Sequence, residues 1–329
     1  MSDIASGSTP DEAALNALLD REPRSVDGWI GKGDCRLAAR DVGAAAYFYR
    51  TALRLAAEQG MAVENSRLSR AAERLATIEH EGDEQRTALM RSRGAPPEGW
   101  SSRFAQAMDH AAGRRRRFPQ DPTAFFYPGL PTIEFFDPAA FAWTAAVEAA
   151  APAIRAELLA LIAADTDFRA YLGDDVGAVP LGDNRRLVLN KDWSVLALCE
   201  AGWVDPALVQ RCPVTWSTLL AAPIPRVSGW GPTVTFSLLK AGAHIAPHTG
   251  MHNSRLICHL PLIVPEGCRF RVGNEVREWV EGKLFIFDDT IEHEAWNDGG
   301  EDRIVLIFDI WRPELSEQER GELTRLFSD

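Results

Sequence analysis

The period of the apolar residues changes once along this chain, near Asp121, and that change limits the folds open to it. From Asp11 to about Met108 apolar residues recur at intervals of three and four without strand-like alternation, which predicts helices. The segment DPTAFFYPGLPTIEFFDP follows. Its prolines exclude a regular helix or a central strand, so it reads as an extended lead-in packed on a core. An alanine-rich helix is expected over 141–164. Beyond it the apolar residues fall in short β-branched and aromatic runs broken by Gly, Pro, Asn or Asp. These runs are RRLVLN (185–190), WSVLALC (193–199), PTVTFSLL (232–239), RLICHLPLIV (255–264), CRFRVG (268–273), KLFIFDD (283–289) and RIVLIFDIW (303–311). Strands of this number and length suit a sandwich or a double-sheet jelly roll. A last helix is expected from Pro313, which sits where a helix can start.

The chain therefore reads as α+β, with a helical region over 1–118 and a β domain with flanking helices over 119–329. Residues 1–10 read as a loose polar tail. The net charge of −12 argues against a general nucleic-acid binder, which carries a basic face. No apolar run approaches the roughly 18 residues that span a membrane. The start of the chain has no basic stretch followed by an apolar core, so no secretion signal is expected and the chain reads as cytoplasmic. Cys35, Cys199, Cys212, Cys258 and Cys268 form no CxxC pair, which predicts buried thiols in a reducing compartment. The run RRRR at 114–117 reads as the solvated end of a helix, where cations are favoured.

Within the helical region, Trp29, Gly33, Ala45, Tyr49 and Ala52 resemble the pattern of a tetratricopeptide repeat, in which small residues let antiparallel helices pack closely. Lys32 and Arg36 depart from that pattern. The region is expected either to dock a protein partner or to cap the domain that follows.

The chemistry concentrates in the second half. His248 and His293 lie forty-five residues apart, and Arg303 follows ten residues later. Two imidazoles on neighbouring strands can hold a divalent iron on one face. An arginine on the next strand can grip a carboxylate with two prongs. Strand alternation places Arg303, Val305, Ile307, Asp309 and Trp311 on one face. A buried arginine there needs an anionic partner, since an unpaired buried charge costs several kcal/mol. The acid usual two residues after the first histidine is replaced by Gly250, which leaves a coordination position open. Asp288 and Asp289 read as turn residues that orient an imidazole. His252 is expected behind the metal or at the surface, and His244 in a loop. Arg269 and Arg271 share a face that meets an acidic substrate or solvent.

The run from Pro247 to Ser316, with the phrases EGKLFIFDDTIEHEAWN and DIWRPEL, resembles the aspartyl/asparaginyl β-hydroxylases. The resemblance extends over about 120–320. It implies a double-stranded β-helix fold and an Fe(II)- and 2-oxoglutarate-dependent dioxygenase. Such an enzyme releases succinate and carbon dioxide, and the family suggests hydroxylation at the β-carbon of an aspartyl or asparaginyl-type group; free aspartate, a peptide, a carrier-tethered amino acid and a lipid acyl chain all remain open as substrates. By position it makes His248 and His293 the iron ligands. Arg303 and Ser237 would hold the distal carboxylate of 2-oxoglutarate, and His259 would lie at its metal-chelating end. Trp193 would stand beside the substrate. Ile257 replaces an arginine common in the family, and alternation lets Arg255 reach the same region. Two other functions remain open at this point: a halogenase using the position left by Gly250, and an interaction or ligand-sensing protein with a non-catalytic β domain.

Overall fold

A computed structural model describes residues 11–61, 66–173 and 182–328; the tail expected at 1–10 lies outside the described residues. Two compact units follow one another, Met1–Arg116 and Arg117–Asp329.

The first unit is helical: α1 Glu12–Arg21, α2 Val26–Ala38, α3 Val42–Glu58, α4 Ser66–Ser92 and α5 Ser102–Ala111. Short polar residues start three of them. Asp11, Ser25 and Asp41 each accept a backbone N–H from the first turn of α1, α2 and α3. Gly33 on α2 meets Tyr49 on α3 so closely that a Cβ at 33 would lie 2.5 Å from the ring. That contact explains why a glycine stands there in mid-helix, where it costs roughly 1 kcal/mol against alanine. Tyr49 is fully buried and donates its hydroxyl to Asp34 at 2.6 Å. Ile30, Ala45, Ala52 and Leu68 complete this core. The basic run 114–117 begins beyond the end of α5, and Arg114 is not simply solvated: it pairs with Asp83 and Asp109.

The second unit is built on β1 Phe135–Phe136, β2 Arg169–Ala170, β3 Trp193–Glu200, β4 Trp203–Val204, β5 Val234–Leu239, β6 His244–His248, β7 Arg255–Ile263, β8 Cys268–Val272, β9 Glu275–Glu278, β10 Phe285–Phe287, β11 His293–Asn297 and β12 Arg303–Trp311. These form two antiparallel sheets. The larger runs β1-β10-β7-β12-β5-β3-β2, with β4 on β3; the smaller runs β6-β11-β8-β9. This is the jelly-roll arrangement. Four helices flank it: α6 Thr144–Ala163, α7 Pro206–Arg211, α8 Pro213–Leu219 and α9 Glu317–Phe327.

Alternation on the larger sheet divides the domain into two cores. Leu256, Cys258, Leu260 and Leu262 of β7, with Ile304, Leu306, Phe308 and Ile310 of β12, share a cluster with Val147, Ile154 and Leu158 of α6. Each such side chain is worth about 1.5–3 kcal/mol when buried. The opposite face looks toward the smaller sheet. There Trp193, Leu239 and Val305 join Ile245, Phe270 and Ala295 in a second cluster. Polar residues placed on this inner face have nowhere to go but the space between the sheets.

Two expectations are corrected. The run 185–190 is not a strand: a 3-10 helix spans Gly182–Leu187, and Leu189 has a φ of 55° that breaks an extended chain. Asn184 explains the docking. Its amide donates to Ala246 O at 2.9 Å and its Oδ1 accepts the Ala246 N–H at 2.7 Å, so a side chain replaces a backbone ladder. The last helix starts at Glu317 rather than Pro313, because Ser316 and Glu319 form a reciprocal capping box. All five cysteines are buried thiols outside any disulfide. No helix among the described residues is long and apolar enough to cross a membrane.

Candidate functional site

The space between the sheets is a cavity of about 330 Å³. His248, His293, Arg303, Ser237, His259, Trp193 and Arg255 all reach it, which brings seven of the nine expected site residues together. The other two do not reach it. Arg269 lies outside, paired with Asp298 and stacked over Trp296. Arg271 is held by Glu292 and Glu294 on the outer side of the smaller sheet. Alternation along β8 turns both arginines away from the cavity while Phe270 points in.

His248 ends β6 and His293 starts β11, and the two are direct cross-strand partners with ring centroids 4.1 Å apart. His248 Nδ1 lies 2.8 Å from Ala246 O, and His293 Nδ1 lies 3.0 Å from Ile291 O. A carbonyl only accepts, so each Nδ1 carries the proton and each Nε2 keeps its lone pair. Burial depresses both pKa values, and the neighbouring His248 depresses that of His293 further, so both rings are held neutral. Neutral imidazole with a free Nε2 is the metal-binding form. Backbone carbonyls orient these rings, not the aspartates expected to do so. Asp288 instead forms a buried pair with Arg312 at 2.7 Å.

Among the described residues no group of three His, Cys, Asp or Glu is placed to hold a metal. Gly250 accounts for the missing carboxylate. A Cβ at this position would lie 2.0 Å from Asp289 Oδ2, so no acidic side chain fits there. The pair His248–His293 therefore offers two nitrogen donors with the remaining positions open, a set that suits iron completed by an oxygen-donor ligand and water.

Arg303 is 1% exposed, and its Nε and Nη2 have no hydrogen-bond partner among the described residues. Its guanidinium packs over Trp279 at 4.9 Å. Burial lowers its pKa to about 10, which leaves it charged at neutral pH. No carboxylate among the described residues pairs with it, and a buried cation favours an anion at its side. Ser237 faces the same side, since it pairs with Val305 two residues along β12. Trp193 donates its indole N–H to Ser237 Oγ at 3.2 Å, which leaves the hydroxyl proton for an incoming acceptor.

His259 stacks on Trp279, the ring beneath Arg303, and also contacts Phe270 and Phe287, both of which touch His293. It thereby links the ring beneath the guanidinium to the rings around the histidine pair. Burial and the charge of Arg303 hold its pKa far below the usual histidine value. Its Nδ1 is buried and unpartnered. Arg255 does not share the arginine's end: it is bound to Asp309 at 3.0 Å.

The remaining histidines also differ from expectation. His252 is a core residue, packed among Trp230, Phe125 and Phe327. His244 starts β6 and stacks on Trp296. Sequence reasoning missed Trp279, the floor under Arg303, and Tyr171, which stacks on Trp193 at 3.9 Å. It passed over Asp309, although the alternation that exposed Arg303 to the cavity exposed Asp309 as well.

Residues 148–313 match the family model described as aspartyl/asparaginyl beta-hydroxylase. The human protein named aspartyl/asparaginyl beta-hydroxylase is 38% identical over 144 residues, covering 44% of this chain and 19% of that protein. Ornithine lipid ester-linked acyl 2-hydroxylase of Rhizobium tropici is 34% identical over 190 residues, covering 57% of this chain and 63% of that protein. Rat aspartate beta-hydroxylase domain-containing protein 2 is 30% identical over 213 residues, covering 64% of this chain and 60% of that protein. The match thus spans about a fifth of the human relative and three fifths of the other two.

Proposed function

The chain belongs to the aspartyl/asparaginyl β-hydroxylase family, and from that membership we propose that its second unit is an Fe(II)- and 2-oxoglutarate-dependent hydroxylase. Its substrate is a small molecule or peptide with an aspartyl or asparaginyl-type group, oxidised at the β-carbon. One observation carries this reading: a buried arginine with no counter-ion among the described residues shares a cavity with two neutral histidines whose Nδ1 protons are taken by backbone carbonyls, which leaves Nε2 as the donor atom of each.

His248 and His293 would hold the metal through their Nε2 lone pairs. Iron with 2-oxoglutarate and dioxygen supplies the oxidising power for an unactivated C–H bond, with succinate and carbon dioxide as co-products. Arg303 takes the distal carboxylate with two N–H donors. The Ser237 hydroxyl donates to the same carboxylate, its oxygen already fixed by Trp193. His259, stacked on the Trp279 ring beneath Arg303, packs between that arginine and the rings around the histidine pair. Phe270, Phe287 and Ile307 line the cavity with apolar surface, which excludes water from the reacting centre.

The test is succinate release in air from protein loaded anaerobically with Fe(II) and 2-oxoglutarate. Wild type is expected to release succinate slowly without substrate and faster with an accepted Asp or Asn peptide. His248→Ala and Arg303→Ala are expected to release none. Equal release by all three proteins would overturn the assignment.

A further inference from the structure

One end of the cavity holds charges that the proposed oxidation does not use. Arg255 of β7 and Asp309 of β12 are diagonal neighbours, since Asp309 pairs with Ile257 in register. Arg255 Nη1 donates to Asp309 Oδ2 at 3.0 Å, and Asp309 Oδ1 accepts the Thr233 N–H at 2.7 Å. Asp309 is fully buried with both oxygens engaged, and Arg255 keeps one further donor, its Nε, buried and without a hydrogen-bond partner among the described residues. Asp289 faces the same space from the turn between β10 and β11. It is 7% exposed, and its Oδ1 is buried with no hydrogen-bond partner among the described residues. Its other oxygen lies against Gly250, where a Cβ would have no room. Asp289 thus lines the cavity at this end and carries an unused acceptor.

The charges sum to one cation and two carboxylates. Burial raises the pKa of Asp289 to about 7 and also raises that of Asp309, with Arg255 opposing both shifts. With Asp309 ionised in its pair with Arg255, the cluster carries no net charge when Asp289 is protonated and one negative charge when it is not. Arg303, by contrast, lies six positions from Asp309 on β12, roughly 20 Å along the strand, and has no counter-ion among the described residues. Between them Ile257 and Ile307 present only hydrocarbon. The cavity therefore has an anion-accepting end at Arg303 and an end where one acceptor, Asp289 Oδ1, lies unused on the same side as one donor, Arg255 Nε.

We propose that the Arg255–Asp309–Asp289 end binds a nitrogen-borne hydrogen-bond donor of the substrate, an ammonium or a carboxamide, and rejects a carboxylate. This rests on the hydroxylase reading for the identity of the guest as substrate, and it narrows that reading to asparaginyl-type or amine-bearing molecules. The donor N–H goes to Asp289 Oδ1. A carboxylate guest would find a single donor, Arg255 Nε, and would stand against Asp309 and Asp289 together, since like charges in a buried site repel strongly.

Three probes of one shape decide it: butylammonium, butyramide and butyrate, titrated by ligand-observed NMR against the full chain. Saturating 2-oxoglutarate keeps butyrate off Arg303, and the Arg303→Met variant repeats the series without that site. Wild type is expected to bind butylammonium or butyramide at least about tenfold more tightly than butyrate. Whichever of the two is tighter shows whether the guest is an ammonium or an amide. Asp309→Asn, which frees Arg255, is expected to shift the preference toward butyrate; if that variant fails to fold, the order in wild type decides alone. Butyrate binding wild type as well as the other two, no saturation by any probe, or an unchanged order in folded Asp309→Asn would overturn the proposal. Failure of wild type to bind 2-oxoglutarate would instead overturn the hydroxylase reading, and the order of probes in Arg303→Met would still decide this one.

Discussion

His248 and His293 face each other across β6 and β11, and each ring is pinned by the carbonyl two residues before it, Ala246 and Ile291. The same local device thus fixes the same tautomer twice. The smaller sheet thereby presents two Nε2 lone pairs to one cavity without help from any carboxylate.

Replacing either histidine removes half of the donor set the chain provides. His248→Ala and His293→Ala are each expected to lose stoichiometric Fe(II) binding, measured as metal content after anaerobic loading and desalting. Retention of full iron by His293→Ala would place the metal elsewhere.

Gly250→Ala is expected to destabilise the domain by about 1–3 kcal/mol, because a Cβ would fall 2.0 Å from Asp289 Oδ2. The added variant Asp289→Ala removes the obstacle, so the double variant should melt closer to Asp289→Ala alone. A Gly250→Ala protein as stable as wild type in urea would show that the turn yields at no cost.

Arg303→Met should have opposite effects with and without co-substrate. Without it, removing a buried unpaired cation is expected to leave stability unchanged or raise it by about 1–3 kcal/mol. With 2-oxoglutarate the wild type should gain melting temperature and the variant should not. A variant that melts far below wild type in the absence of ligand would point to a structural role for the guanidinium.

His252 links stability to acid. Burial among aromatic rings, with Arg255 nearby, lowers its pKa from 6.5 to about 4. The unfolded chain binds this proton more readily than the folded one, so stability is complete above the unfolded pKa and falls as pH drops from 6.5 toward 4. His252→Phe keeps an aromatic ring in the cluster and removes the proton. Its unfolding free energy should fall less than that of wild type over this interval. Parallel curves for the two proteins would refute the assignment.

Much of this was legible in the sequence because strand alternation is a hard geometric rule. It put Arg303 and Asp309 on one face of β12, and it turned Leu256, Cys258 and Leu260 to the helical side. The pairing of His248 with His293 was foreseen as neighbouring strands, and their register is that of direct partners. What the sequence hid depends on three-dimensional closeness. Asp289 lies against Gly250 although thirty-nine residues separate them in the chain, and no local pattern announces such a contact. The ion pair that claims Arg255 is diagonal across two strands, so alternation placed it on the right face without revealing its partner. Arg269 and Arg271 share a face with each other, but which face is inward follows from Phe270, a choice that only packing makes. The segment 185–190 has strand composition, yet Asn184 supplies its hydrogen bonds from a side chain.

The central claim is that Arg303 is the co-substrate's anchor in a cavity that the histidine pair shares. Anaerobic calorimetric titration of 2-oxoglutarate into Fe(II)-loaded wild type and Arg303→Met tests it most directly. The account predicts one site per chain in wild type and weakening by about a hundredfold or more in the variant, the loss of a charge-assisted pair in a desolvated pocket. Equal affinity in the two proteins, or no binding by wild type, would contradict it.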